Sequence, residues 1–334
     1  MVEHEKTLLI AFDLEGPLST QDNAYEVMGL IENGYELFER ISRYDDLLTL
    51  EGREGYEPGD TLSLILPFLI AHGITEQHIA DVSKRATIVP GAMECISELR
   101  SRGHKVVIIS TSYEPHALNI ANQLSVPKED VKCTPAPLEQ IVSELKSTTA
   151  DEIQYLLSWQ KRILEIPLDD DELLKAELDR FYWHELKAKE IGKTLSSIKV
   201  VGGGRKVDAL LSFAEQCDVR MSDVVAIGDS ITDYKMLQVV RDNGGLAIVF
   251  NGNQYALPYG TVSVAADNLL PIIPLVDAFY SGGLEGAKEF VLTAPKTEEG
   301  PFYHWLIDGE NFDEVLSIHK RFREILRGRA AKLG

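Results

Sequence analysis

Two acids with one residue between them close the first apolar run of the chain, Leu8-Leu9-Ile10-Ala11-Phe12-Asp13-Leu14-Glu15, and a Gly16-Pro17 turn follows at once. A carboxylate such as Asp13 can attack phosphorus and form an acyl phosphate, splitting one hard step into two. Glu15, on the same side of an extended chain, can protonate the leaving oxygen and later activate water. Three later stretches supply what such chemistry needs. Ser110, at the end of Val106-Val107-Ile108-Ile109, can donate a hydrogen bond to a phosphoryl oxygen. Thr111 and Ser112 offer the same group, and Ser110 is favoured because it ends the apolar run directly. Lys206, behind Gly202-Gly203-Gly204-Arg205, is a point charge suited to holding phosphate and nucleophile together. Asp229 and Asp233, in Gly228-Asp229-Ser230-Ile231-Thr232-Asp233, form with Asp13 an all-oxygen site of the kind Mg²⁺ uses alongside phosphate and water.

The elements that must position these groups are legible as short apolar runs closed by turn residues, the mark of strands in a covered parallel sheet, where sites gather at the carboxyl ends. Besides the runs ending at Asp13 and Ser110, Val224-Val225-Ala226-Ile227, Leu246-Ala247-Ile248-Val249-Phe250 and Thr261-Val262-Ser263-Val264 read this way, with a shorter strand and loop over Asp130–Pro137. Asn23 to about Leu50, Leu62–Ala71 and Thr75–Lys84 read as helices, interrupting the β/α alternation directly after the first strand. Leu138 to about Ser197 changes composition again and reads as a second helical insertion, its run Asp169-Asp170-Asp171-Glu172 as a solvated helix start. The tail from Pro271 reads as mostly helical and ends in a basic stretch, Lys320–Lys332.

Composition bounds the function. The 334 residues carry a formal net charge of -20, with 44% hydrophobic and 26% charged residues, as in an ordinary soluble α/β protein of two domains. So acidic a surface repels nucleic acid and anionic membranes. It repels a phosphorylated substrate too, unless a metal ion and a local Lys invert the field. Cys95, Cys133 and Cys217 are too far apart for a metal site or a disulfide framework, which favours a reducing cytoplasm. The stretch Met1–Lys6 lacks the form of a signal peptide, and the apolar stretch Leu269–Phe279 is broken by Pro271, Pro274 and Asp277, so no membrane insertion is expected.

Taken together, Phe12-Asp13-Leu14-Glu15-Gly16, Ile109-Ser110-Thr111, Lys206 and Gly228-Asp229-Ser230-Ile231-Thr232-Asp233 resemble, in order, the four motifs of the haloacid dehalogenase (HAD) superfamily of phosphohydrolases. Gly91–Ser112 and Lys206–Leu237 resemble phosphoserine phosphatase most. The resemblance implies a Rossmann-like core, a parallel sheet flanked by helices, over 1–19 and 86–270, with a helical cap over 20–85. The insertion at about 138–197 and the mainly helical extension 271–334 have no counterpart in it. It further implies Mg²⁺, Asp13 as nucleophile, and the backbone carbonyl of Glu15 as a metal ligand beside Asp13, Asp229 and Asp233.

One position departs from the family. Its phosphatases usually carry Asp where this chain has Glu15, and a misplacement near 1 Å in a catalytic group can cost roughly 10²-fold. The expectation is a Mg²⁺-dependent phosphomonoesterase acting on a small phosphorylated metabolite in the cytoplasm. The alternatives are a phosphotransferase and a catalytically silent regulatory or assembly subunit with a protein partner on the 138–197 insertion. Other residues carry weaker signals. Gly202-Gly203-Gly204 lacks P-loop spacing and reads as a close turn that lets Lys206 approach. Asp208 reads as a first-turn helix residue, Asn251 and Asn253 as candidates for the rim, and Arg53 either as a contact for a substrate carboxylate or as solvated. No two histidines have metal-ligand spacing.

Overall fold

In the computed structural model, residues 6–145, 150–295, 297–307 and 311–332 are described; most of the stretch Met1–Lys6 lies outside them. A sheet of seven strands runs in the order β3-β2-β1-β4-β5-β6-β7, with β1 Leu9–Phe12, β2 Lys105–Tyr113, β3 Val131–Thr134, β4 Val224–Gly228, β5 Leu246–Phe250, β6 Val262–Ala265 and β7 Phe302–Trp305. The first six are parallel, and β7 closes one edge antiparallel to β6.

Period-two alternation explains why the central strands are apolar throughout. Leu8, Ile10 and Phe12 face one core with Val106, Ile108, Val225 and Ile227, while Leu9 and Ala11 face the other with Val107, Ile109, Val224 and Ala226. Helices Ala92–Ser101, Glu114–Gln123 and Ile272–Thr293 cover the first face; Gly204–Gln216 and Tyr234–Asp242 cover the second. The register then does the positioning. Phe12 pairs with Ile108 on one side and Ile227 on the other, so Asp13, Ser110 and Asp229 emerge together at one end of the sheet.

The two helical insertions form one body. Helices between Asn23 and Ser83 share a single apolar core with those between Leu138 and Leu195. Phe68 meets Phe181 with ring centroids 5.8 Å apart, and Tyr182 Oη donates to Leu64 O at 2.8 Å. Arg53, one reading of which was a substrate contact, is instead paired with Asp179 at 2.6 Å and with Glu51, over the Trp183 ring. In the acidic run, Asp170 caps its helix by accepting from Leu173 N, and Asp171 is not simply solvated but ion-paired with Arg43 at 2.6 Å. The tail is likewise more than helix. Phe302–Trp305 joins the sheet, and the helix Phe312–Arg327 returns to the carboxyl ends of the strands. Among the described residues, no helix is long and apolar enough to cross a membrane.

Candidate active site

At the end of β1 the chain turns sharply at Gly16, whose φ of +113° favours glycine; a Cβ there would lie 2.4 Å from Asp229 Cγ. That close approach brings the first and last motifs together. Lys206, delivered by the first turn of its helix, is fully buried, with Nζ 2.6 Å from Asp13 Oδ1 and 2.7 Å from Asp233 Oδ1. Burial opposes its charge, but Asp13 and Asp233 outweigh burial and hold the ammonium above its usual range. Burial, reinforced by Asp233, pushes the Asp13 carboxyl up to about 7 against the pull of Lys206.

Asp233 is a clasp as much as a ligand candidate. Its Oδ2 accepts from Asp229 N at 3.0 Å and Ser230 N at 3.1 Å, folding the fourth motif around itself. Asp229 Oδ2 accepts from Arg323 and, at 3.0 Å, from Arg327, whereas its Oδ1 is buried without a partner. Ligand atoms of Asp13, Asp229 and Asp233 all lie within 4.8 Å of one another. Three buried carboxylates with one unsatisfied oxygen fit a hard divalent cation, which takes oxygen ligands.

On the other wall, Ser110 Oγ accepts from Ser112 N at 3.0 Å, which leaves its hydroxyl proton to donate, and Thr111 Oγ1 and Ser112 Oγ are buried without partners. Glu15 Oε1 accepts from Asn23 N at 2.9 Å and lies 3.5 Å from His116 Nε2. Burial and the Asp22 carboxyl push Glu15 up to about 8, so it holds its proton at neutral pH; burial pulls His116 down to about 3, keeping it neutral. The Glu15 carboxyl is outside the three-acid cluster. A cavity of about 80 Å³ opens between these groups, lined among others by Asp13, Glu15, Ser110, Thr111, Asp45 and Arg327.

The loop above the cavity belongs to the first insertion. Asp45 accepts from Tyr56 Oη at 2.5 Å, Gly59 N at 3.2 Å and Thr61 N at 3.3 Å, fixing a turn in which a Cβ on Gly59 would come within 2.7 Å of Thr111 Cγ2. The glycines before Lys206 serve this contact, beyond the turn inferred from sequence: a Cβ on Gly202 would meet Pro58 O at 2.0 Å. Glu57 accepts from Gly204 N at 2.8 Å and pairs with Lys235, and Asp60 pairs with Arg205 at 2.6 Å.

Burial raises Asp45 to about 7. Its unfolded counterpart ionises near 4, so between about pH 4 and 7 the unfolded chain has lost a proton the folded one keeps, and stability falls as pH rises through that window. Asp45→Asn is expected to flatten this decline. Denaturation midpoints at pH 5 and pH 7 check it; an unchanged difference between the two would refute the assignment.

Thus the structure brings Asp13, Glu15, Ser110, Thr111, Lys206, Asp229 and Asp233 to one place. It leaves Asp208 exposed and turns Asn251 inward, where its amide pairs with Ala266 N and O; Asn253 Oδ1 accepts from Tyr255 N. Sequence reasoning missed Arg323, Arg327 and His116. The signal for the arginines was present as a basic stretch in an acidic chain.

No protein-family model matches the chain, and neither does any curated protein. Among solved structures, the gene product AF1437 from Archaeoglobus fulgidus matches with a TM-score of 0.86 at 30% identity, over 98% of this chain and 99% of that one. A phospho-aspartyl intermediate analogue of phosphoserine phosphatase matches at TM-score 0.52 and 18% identity, over 81% of this chain and 99% of its own. The apo form of a phosphoserine phosphatase matches at 0.51 and 16%, over 80% and 98%. At these lower identities the likeness is one of fold, and it is the fold on which the four motifs were expected to sit. The chain shares its fold with AF1437 over nearly its whole length, and with the phosphoserine phosphatases over about four fifths of it.

Proposed function

We propose that the protein is a Mg²⁺-dependent phosphomonoesterase that cleaves a small phosphorylated metabolite through an aspartyl phosphate on Asp13. The observation that carries this reading is Lys206, buried between Asp13 and Asp233 next to the unsatisfied Asp229 oxygen. The Lys206 ammonium, hydrogen-bonded to Asp13, favours the ionised carboxylate that can act as a nucleophile and opposes the burial that raises it. Asp13 attacks phosphorus, the bond to the leaving oxygen breaks, and Glu15, protonated at rest, gives its proton to that oxygen. Ionised Glu15 then takes a proton from water as the water attacks phosphorus, the Asp13–phosphorus bond breaks, and phosphate leaves. Ser110 and Lys206 hold the phosphoryl oxygens. Asp13, Asp229 and Asp233, with the Glu15 carbonyl, would hold the metal, which supplies neutralising charge to the phosphoryl group when bound.

In this reading residues 20–85 form a cap over the core, and the loop fixed by Asp45 shapes the entrance. A cytoplasmic setting agrees with three free cysteines.

Glu15 decides between this reading and the silent-subunit alternative. Asn23 N meets the longer carboxylate at 2.9 Å, which supports a pocket built for Glu. Glu15→Asp is therefore expected to lower kcat for p-nitrophenyl phosphate by about 10- to 100-fold. An inactive parent that Glu15→Asp activates would instead identify a silenced site. Phosphate passing to an added alcohol in preference to water would identify a phosphotransferase.

A further inference from the structure

The helix Phe312–Arg327 reaches the site from an extension that the core motifs do not include. His319, fully buried, accepts from Gly252 N through Nδ1 at 2.9 Å and fixes the helix against the end of β5. Arg323 and Arg327, one turn apart, therefore share a face, and both donate to Asp229 Oδ2. Their roles differ. Arg323, with 3% of its side chain exposed, also donates through Nε to Ala331 O at 2.9 Å and is held on several sides by protein. Arg327, with 6% exposed, donates through Nη1 to Asp229 at 3.0 Å and through Nε to Thr20 O at 3.4 Å. The side chain lines the cavity shared by Asp13, Glu15 and Ser110, where its charge also acts on Glu15 and Asp22. It is the cationic side chain among the described lining residues; Asp22, Asp45 and Asp46 add only carboxyls.

Charge counting shows what the helix changes. Without it, the hydrogen-bonded cluster is three carboxylates, Asp13, Asp229 and Asp233, against one ammonium, Lys206. A divalent cation would bring that cluster to neutrality and leave nothing for a phosphate dianion. Arg323 and Arg327 bring the metal-free hydrogen-bonded cluster to neutrality, so that a bound divalent cation leaves this cluster two positive charges to set against a phosphate dianion and the carboxyls of Asp22, Asp45 and Asp46 around it. In a chain with a net charge of -20, a phosphate-binding site needs such a local surplus.

We propose that the C-terminal helix completes the active site. Arg327 is an anion-binding residue that takes an oxygen of the substrate's phosphate group, and Arg323 is a positioning residue that fixes Asp229 and its neighbour. This rests on the phosphomonoesterase reading. The test is binding of inorganic phosphate in the presence of Mg²⁺, measured by calorimetry on the full chain, beside Mn²⁺ affinity measured by electron paramagnetic resonance. Arg327→Ala is expected to weaken phosphate by about 10- to 100-fold, since a hydrogen bond between charged groups is lost, while Mn²⁺ affinity is unchanged or higher. Arg327→Lys should recover part of the phosphate affinity. Arg327→Gln keeps the side chain's bulk and replaces the alanine variant if that does not fold. Phosphate affinity within twofold of the parent, with tighter Mn²⁺, would overturn the inference and make Arg327 a mere counter-charge to Asp229. If the parent still hydrolyses esters, that result leaves the phosphomonoesterase reading intact. A parent that binds no phosphate in Mg²⁺ overturns both.

Discussion

Asp13→Asn is expected to abolish Mg²⁺-dependent hydrolysis of p-nitrophenyl phosphate, by at least about 10³-fold, while the fold survives or gains stability. The amide has the shape of the carboxylate and can still accept from Lys206 through its oxygen, but it cannot attack phosphorus. The gain in stability follows from the same geometry. Asp13 is buried beside Asp233 and Asp229, and burial with their charges pushes its carboxyl up to about 7. Removing one negative charge relieves a repulsion that the metal-free protein must otherwise hold. Thermal denaturation in chelator should show a melting temperature equal to or above that of the parent. Residual turnover near the parental rate would remove Asp13 from its assigned role.

Lys206→Met should have the largest effect on stability. Its ammonium is fully buried, and its hydrogen bonds at 2.6 and 2.7 Å go to two carboxylates that are buried as well. Removing one partner from a buried ion pair leaves uncompensated charge and costs about 3–5 kcal/mol, far more than an exposed pair contributes. Urea denaturation of metal-free protein measures this, and Mg²⁺ should return part of the loss by binding the same carboxylates. Turnover should fall with it, because the phosphoryl group loses a cation. A loss below about 1 kcal/mol would contradict the role of Lys206 as the counter-charge that the buried acids require.

The sheet and the acids at its end were readable because the information is local. Leu8–Phe12, Val106–Ile109 and Val224–Ile227 are apolar at successive positions, as a strand covered on both faces requires; the first two end directly on Asp13 and Ser110, and the third reaches Asp229 after Gly228. β7 was not readable. Phe302-Tyr303-His304-Trp305 is four residues long, follows Gly300-Pro301 and is largely half-buried, so it lacks both the length and the contrast of a core strand. The union of the two helical insertions was equally hidden, since the apolar stripe of Ala150–Leu164 tells that it packs and not on what. Arg323 and Arg327 show the same limit at the site itself. Their spacing places them on one helix face, but only the return of that helix across β5 puts that face against Asp229. Tertiary placement, not residue type, turned a basic tail into part of the site.

The most direct test of the central claim is to quench the protein in acid during turnover of a phosphate monoester with Mg²⁺ and locate the phosphoryl group by peptide mass spectrometry. An acid-stable, base-labile acyl phosphate is expected on Asp13 and is expected to be absent from Asp13→Asn. Rapid hydrolysis with no phosphoryl group on Asp13 at any quench time, or with the group on another residue, would contradict that claim.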